Sequence, residues 1–412
     1  MTEKIKFIHC ADLHLDSPFK GMSTLPDSLY QELKNSTFAA LDNLVNLAIK
    51  EQVDFVLIVG DLFDQSVKSV YAEMQFIIAC QKLNKVNIPI YLSYGNHDYL
   101  EARQHTFTYP ENVHIFESDQ VEVKVFSKNG HPLVGIHGFS YSERAVLDNK
   151  TTEFQPVEGL AYQIGMLHGS IQQSTEHDYY APFQLSDLQT KNIDYWALGH
   201  IHKRAILSRN PAIVYPGNTQ SRSIKESGEK GCYLVELNQM ETKLTFKALH
   251  AIQFDRLSVN VSDCQQVDQL YDLLYQRLSS LKKQKSIIFL TLTGVNQTLV
   301  SHYYQGEIDE IIMLLNEQQQ DQENWQWIQA VEIERERQVN EARLKENDPF
   351  MNQLLTDFED INWGQLSKDL WQHRQAKRFL VELSEEEKIK LVNDAKDLAL
   401  YHLLGMNNDE NK

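Results

Sequence analysis

Val56-Leu57-Ile58-Val59-Gly60-Asp61-Leu62-Phe63-Asp64 is the stretch on which the reading of this chain turns. Four consecutive branched apolar residues read as a strand buried on both faces, and the run stops at a glycine followed by a carboxylate. In an open α/β sheet the carboxyl ends of the strands face the ligand crevice. Asp61 is therefore expected at the lip of a site, with Gly60 turning the backbone and leaving room beside it. A strand ending in Gly-Asp is also ordinary turn chemistry. The pair gains meaning because four other apolar runs end in polar residues able to bind metal.

Lys4 to Ala11 empties into Asp12-Leu13-His14-Leu15-Asp16, and Ile88 to Tyr94 ends in Gly95-Asn96-His97-Asp98. Tyr162 to Leu167 stops at His168, and Ile193 to Leu198 at Gly199-His200-Ile201-His202. Helical spacing of Phe38, Leu41, Leu44, Val45 and Ala48, then of Val70, Met74, Ile77, Ile78 and Leu83, separates the first three strands. This alternation predicts a parallel half-sheet. From about Val113 the segments are short and strand-rich, with a hairpin around Asn129-Gly130. Two sheets packed face to face with helices outside, an αββα sandwich of the α/β class, accommodate residues 1–250. Residues 251–305 read as a small α/β module: a strand at Leu257–Val261, a helix from Val267 to Leu281 and a strand at Ile287–Leu292. Residues 306–412 read as almost entirely helical.

The totals bound the function. A chain of 412 residues implies two or three domains. The net charge of −18 argues against coating a polyanion by bulk electrostatics, so any nucleic acid has to be met by local basic patches and by metal. No apolar run approaches the ~20 residues of a membrane span, and Met1 to Phe7 begins a charged strand instead of a signal peptide. Cys10, Cys80, Cys232 and Cys264 are scattered, as free thiols in a reducing cytosol would be. A cytoplasmic protein without membrane association is expected.

The polar residues at the strand ends are Asp12, His14, Asp61, Asn96, His97, His168, His200 and His202. Mixed carboxylate, imidazole and amide ligands suit Mn2+, Fe2+ or Zn2+, and the thiolate set of a structural zinc site is absent. The ligands outnumber what one ion needs, which implies two. Two ions roughly 3.5–4 Å apart clamp the attacking and leaving oxygens of a phosphoryl displacement. Asp61, central in the set, is the expected bridge.

Asp12-x-His14, Gly60-Asp61-x-x-Asp64, Gly95-Asn96-His97-Asp98, His168 and Gly199-His200-x-His202 together resemble the calcineurin-like metallophosphoesterase signature over residues 1–250. The resemblance implies that Asp12, His14, Asp61 and His202 hold one metal, and that Asp61, Asn96, His168 and His200 hold the other. It implies that His97 contacts the phosphate and protonates the leaving oxygen while Asp98 orients its ring. Asp64 would support the metal loop by hydrogen bonds. Phe7 to Leu15, and Tyr215 to Ser223 followed by Glu229-Lys230-Gly231, are similar to SbcD-type DNA repair exonucleases, nearest their YhaO branch. Asn218 stands where that loop usually has serine. This narrower resemblance implies two Mn2+ ions, a DNA substrate, a DNA-capping module after residue 250 and C-terminal helices that dock an SMC-like coiled-coil ATPase. It also allows for a homodimer.

Arg222, Lys225 and Lys230, in or after the loop ending the Tyr215 strand, are the basic residues expected to meet phosphates. In the C-terminal third, Glu332 to Glu346 reads as a charged helix. Asp348-Pro349 then breaks the chain, and Ser384 with Glu387 forms a capping box. The apolar faces of these helices either bury against one another or dock a partner. Two other functions compete: hydrolysis of small phosphodiesters or phosphomonoesters, and a non-catalytic adaptor with a structural metal site. An intact His97 counts against the adaptor.

Overall fold

The computed structural model of the chain describes residues 3–22, 24–64, 69–100, 107–172, 180–281, 283–334, 341–371, 373 and 383–404. The chain divides into two units, Met1–Pro18 with Gln31–Gln253, and Phe19–Tyr30 with Phe254–Lys412.

The first unit holds two six-stranded sheets. One comprises β1 (Ile5–Ala11), β2 (Phe55–Val59), β3 (Ile90–Ser93), β4 (Val113–Ile115), β11 (Gly231–Leu237) and β12 (Thr242–Ala248), in the order β12-β11-β1-β2-β3-β4. The other comprises β5 (Glu122–Lys128), β6 (His131–Gly138), β7 (Tyr162–His168), β8 (Tyr195–Gly199), β9 (Ala205–Arg209) and β10 (Ala212–Tyr215), in the order β5-β6-β7-β8-β10-β9. β1 to β4 run parallel to one another, as do β6, β7, β8 and β10. Both parallel sets therefore end on the side where the polar residues lie.

Burial on both faces explains the apolar runs. Phe55, Leu57 and Val59 of β2 join Phe7 and Tyr91 in a core shared with Val134, Ile136, Ile164, Met166 and Tyr195 of the second sheet. Val56 and Ile58 face the opposite way. They pack with Leu41, Leu44 and Val45 of α1 (Asp27–Glu51) and with Phe76, Ala79 and Leu83 of α2 (Val70–Asn84). The outer face of the second sheet, with Trp196, Leu198 and Ile213, is covered by Phe139, Phe154 and Leu188 of the short α3 (Leu185–Gln189). This is the expected αββα sandwich. Asn129 and Gly130, at φ of 52° and 80°, make the hairpin turn between β5 and β6. All four cysteines are free and buried.

The second unit contains a sheet ordered β13-β14-β15, from β13 (Gln253–Asn260), β14 (Ser286–Thr293) and β15 (Gln326–Ile333). Its helices α4 (Val267–Ser279), α5 (Gln297–Tyr304) and α6 (Glu307–Gln319) place Leu270, Leu274, Leu299, Ile308 and Ile311 against Ile288, Leu290 and Ile328. β15 corrects the helical expectation for residues 306–412 and carries the α/β module on to Ile333. Its alternation was hidden because polar residues share its buried side: Gln326 is buried beside Ile328. Asn316 of α6 pins the strand with both ends of its amide, donating to the Ile328 carbonyl and accepting from its N–H, each at 2.8 Å. Glu332 and Ile333, expected in a charged helix, belong to this strand, and residues 335–340 of that expectation lie outside the described residues.

Among the described residues five helices follow: α7 (Glu341–Asn347), α8 (Pro349–Glu359), α9 (Trp363–Leu366), α10 (Lys368–Trp371) and α11 (Glu385–Leu403). Asp348 caps α8 by accepting from Phe350 and Met351, and Ser384 with Glu387 closes the capping box of α11. Met351, Leu355 and Leu400 form a small core. Phe350, Leu366, Leu370, Ile389 and Leu391 remain exposed. No helix among the described residues is long and apolar enough to cross a membrane.

Candidate metal centre

Parallel pairing of β1 and β2 continues past the ends of both strands. Asp12 N–H donates to Gly60, His14 to Asp61 and Leu15 to Leu62, at 3.2, 3.0 and 2.9 Å. The chain achieves this by entering the left-handed region at successive polar residues: Asp12, His14 and Asp61 have φ of 53°, 43° and 49°, and His200 has 93°. L-residues adopt this conformation at a cost, and such strain gathers at functional sites. Glycines make the crowding tolerable. A Cβ at Gly60 would lie 2.0 Å from His168 Nδ1, and one at Gly95 would lie 2.4 Å from Asp61 Oδ1.

The side chains converge in two sets. Ligand atoms of Asp12, His14 and His202 fall within 4.8 Å of one another, as do those of Asp61, His168 and His200. Nε2 of His14 and of His202 are 3.1 Å apart. Asn96 Oδ1 joins the second set, 3.0 Å from His168 Nε2 and 3.2 Å from His200 Nδ1. Asp61 Oδ2 reaches both, at 3.5 Å from His168 Nε2 and 3.8 Å from His14 Nε2. Asp12 also accepts the His200 N–H at 3.1 Å. A third triad, His14, Asp64 and His97, converges too, but Asp64 is ion-paired with Arg222.

Burial pushes the pKa of His14 and of His200 down to about 3, so both imidazoles are neutral and offer lone pairs. At His168 burial also opposes charge, yet the Asp61 carboxylate outweighs it and raises the ring to about 9. Asp61 itself stays well below the carboxylate range: burial opposes its charge, and His168 prevails. The positive charge that Asp61 draws onto His168 is the charge a divalent cation would supply. Tautomers agree as well. His168 Nδ1 lies 3.1 Å from the Val59 carbonyl and His202 Nδ1 lies 2.6 Å from Glu226, which turns both Nε2 atoms inward. The residues fit divalent cations: Asp12, His14, Asp61 and His202 would hold one, and Asp61, Asn96, His168 and His200 would hold another. Bound there, such ions supply Lewis-acid polarisation of a phosphoryl group.

Residues 5–204 match the family model described as calcineurin-like phosphoesterase. Over 390 residues the chain is 37% identical to YhaO of Bacillus subtilis (strain 168), described as an uncharacterized metallophosphoesterase; the alignment covers 94% of this chain and 95% of the relative. The chain belongs to the calcineurin-like metallophosphoesterases. Two DNA double-strand break repair proteins named Mre11 are similar to it at lower identity. That of Thermoplasma acidophilum is 28% identical over 308 residues, covering 70% of this chain and 76% of the relative. That of Saccharolobus solfataricus is 26% identical over 246 residues, covering 57% and 61%.

In this metallophosphoesterase His97 is half-buried beside the two sets. Its backbone N–H donates to Asp61 Oδ1 at 3.0 Å, and its Nδ1 is 2.7 Å from the Asp64 carbonyl. That carbonyl orients the ring, the role the sequence reading gave to Asp98. Asp98 instead accepts N–H groups from Leu62, Phe63 and Gly95 at 2.7, 3.2 and 2.8 Å, tying the Asp61 loop to the Asn96 loop. Its pKa is pushed up to about 7 by burial and then by the neighbouring Asp61 charge.

The basic patch also needs correction. Lys230 is buried and its ammonium donates to the His202 carbonyl at 2.9 Å. Arg222 donates to Asp64 and lies 3.7 Å from Glu226. Of the three cations Lys225 alone is exposed. Both of the others serve the loops that present the ligands. Glu226 was missed altogether, since a single glutamate in a polar loop carries no spacing that distinguishes it.

Proposed function

We propose that this metallophosphoesterase is a Mn2+-dependent DNA exonuclease and endonuclease, the nuclease subunit of a repair complex with an SMC-like coiled-coil ATPase. The observation that carries this reading is the reach of the likeness to the Thermoplasma Mre11. It covers 70% of this chain, whereas the family match is confined to residues 5–204. A hydrolase of small esters gives no reason for similarity beyond the catalytic residues.

In this reading the ligand residues place a phosphodiester beside His97. The His97 ring gives its Nδ1–H to the Asp64 carbonyl and passes an Nε2 proton to the departing sugar oxygen as the P–O bond to it breaks, while a water adds its oxygen to phosphorus and releases its own proton to solvent. Partial exposure of His97, His200 and His202, against the buried Asp12, His14 and Asp61, gives substrate its approach.

Mn2+-dependent turnover of linear DNA, compared with that of a chromogenic phosphodiester, tests the proposal. Degradation of DNA that ceases with EDTA and returns with Mn2+ is expected. Turnover of the small ester with intact DNA would favour the second reading, hydrolysis of small phosphodiesters or phosphomonoesters. That reading draws support from the engagement of Arg222 and Lys230 inside the fold.

The exposed Phe350, Leu366, Leu370 and Ile389 are the surface proposed to meet the ATPase. Because β15 belongs to the α/β module, a truncation has to fall after it. Ending the chain at Glu334 is expected to leave a folded, Mn2+-dependent nuclease that no longer co-purifies with a co-expressed SMC-like ATPase. Full retention of the ATPase would place the docking surface elsewhere.

A further inference from the structure

We infer that Glu226 is a positioning residue that sets one metal site apart from the other, holding His202 as a ligand through a ring of side chains that also reaches His14. The inference rests on the two-metal assignment above and is independent of whether the substrate is DNA.

Glu226 is held from every side. Its Oε1 accepts the His202 Nδ1–H at 2.6 Å. Its Oε2 accepts the backbone N–H of Arg222 at 2.7 Å and the Asn218 amide at 2.8 Å. Its own carbonyl accepts the Ser221 hydroxyl at 2.6 Å. The Arg222 guanidinium lies 3.7 Å from Glu226 Oε1 and donates to Asp64 Oδ1, which is 3.3 Å from His14 Nδ1. The ring closes where His14 Nε2 and His202 Nε2 meet at 3.1 Å. Asn218, the departure from the serine usual in this loop, is thus the residue whose amide reaches the carboxylate.

The second set is supported differently. His168 gives its Nδ1–H to a backbone carbonyl, that of Val59, and the His200 Nδ1 that faces Asn96 Oδ1 is itself that ring's ligand-side nitrogen. A carboxylate on the distal nitrogen fixes an imidazole's tautomer and raises its basicity as a ligand, and its loss typically weakens metal binding 10–100-fold. Loss of Glu226 therefore acts on the site of Asp12, His14 and His202, and spares the site of Asn96, His168 and His200.

Glu226→Gln is the isosteric test. Three donors approach the two carboxylate oxygens, and an amide offers only one oxygen, so at least one donor meets an NH2 group. Wild-type protein is expected to bind two Mn2+ per chain. The variant is expected to bind one with unchanged affinity and the other about 10–100-fold more weakly. At Mn2+ concentrations between the two affinities, electron paramagnetic resonance should change from the spectrum of a coupled pair to that of isolated Mn2+. A general loss of structure would weaken both sites together and lower the metal-free melting temperature. If Glu226→Gln does not fold, Asn218→Ala, which keeps the carboxylate and removes one of its donors, should show a smaller loss at the same single site. Two ions retained at wild-type affinity, or both weakened equally, would overturn the inference while leaving the two-metal assignment intact. Wild-type protein that binds fewer than two ions would overturn the assignment and the inference with it.

Discussion

Asp61→Ala is expected to empty both metal sites at once. One oxygen of this carboxylate faces both ligand sets, at 3.5 Å from His168 Nε2 and 3.8 Å from His14 Nε2. The other accepts the backbone N–H of His97. Alanine thus removes a ligand from each ion and a tether from the loop carrying the proposed acid. It also removes the charge that keeps His168 protonated in the metal-free protein. Because each ion is worth several kcal/mol of transition-state stabilisation, turnover should fall by about a thousandfold or more. Metal analysis alongside turnover of a phosphodiester checks this. Two ions still bound in the variant would remove Asp61 from the bridging position.

His97→Asn should separate binding from chemistry. The contact that ties residue 97 to the metal bridge is made by its backbone N–H, which asparagine retains. The side chain stands beside the two ligand sets with Nδ1 committed to the Asp64 carbonyl. The variant is therefore expected to keep both metals and its affinity for a phosphodiester substrate, while the rate falls by about two to four orders of magnitude. Single-turnover cleavage of a phosphodiester measured beside metal content decides the matter. An active variant, or one lacking metal, would deny His97 the role of acid.

The strand ends were readable because a parallel strand buried on both faces has no choice but to be apolar throughout. Phe55–Val59, Ile90–Ser93 and Tyr195–Gly199 therefore stand out, and the polar residues that stop them mark the crevice. Gly60 was legible for a related reason, since a ligand this close leaves no space for a Cβ; the same crowding at Gly95 shows only in the fold. What stayed hidden depends on tertiary contact. The ring of His97 is steered by a backbone carbonyl, which has no residue type to betray it. Asp98 sits next to His97 in sequence but spends its oxygens on three backbone N–H groups. Arg222 and Lys230 look alike as loop cations, and only the fold shows what occupies them. β15 escaped because Asn316 secures it by hydrogen bonds where a more apolar strand would have shown a period of two.

The order of the first sheet has a consequence for how a newly made chain acquires its metals. β1 lies between β2 and β11, so the strand that sends Asp12 and His14 into the site has one neighbour near residue 55 and the other beyond residue 230. A ribosome-bound chain that has just released His202 already contains every ligand. It still lacks Glu226 and the strand that seals the far edge of β1. Pairing across such a separation is slow compared with local contacts. The site is accordingly assembled late, when the loop from Asn218 to Glu226 arrives with β11, and phosphoesterase activity is expected only once the first unit is complete.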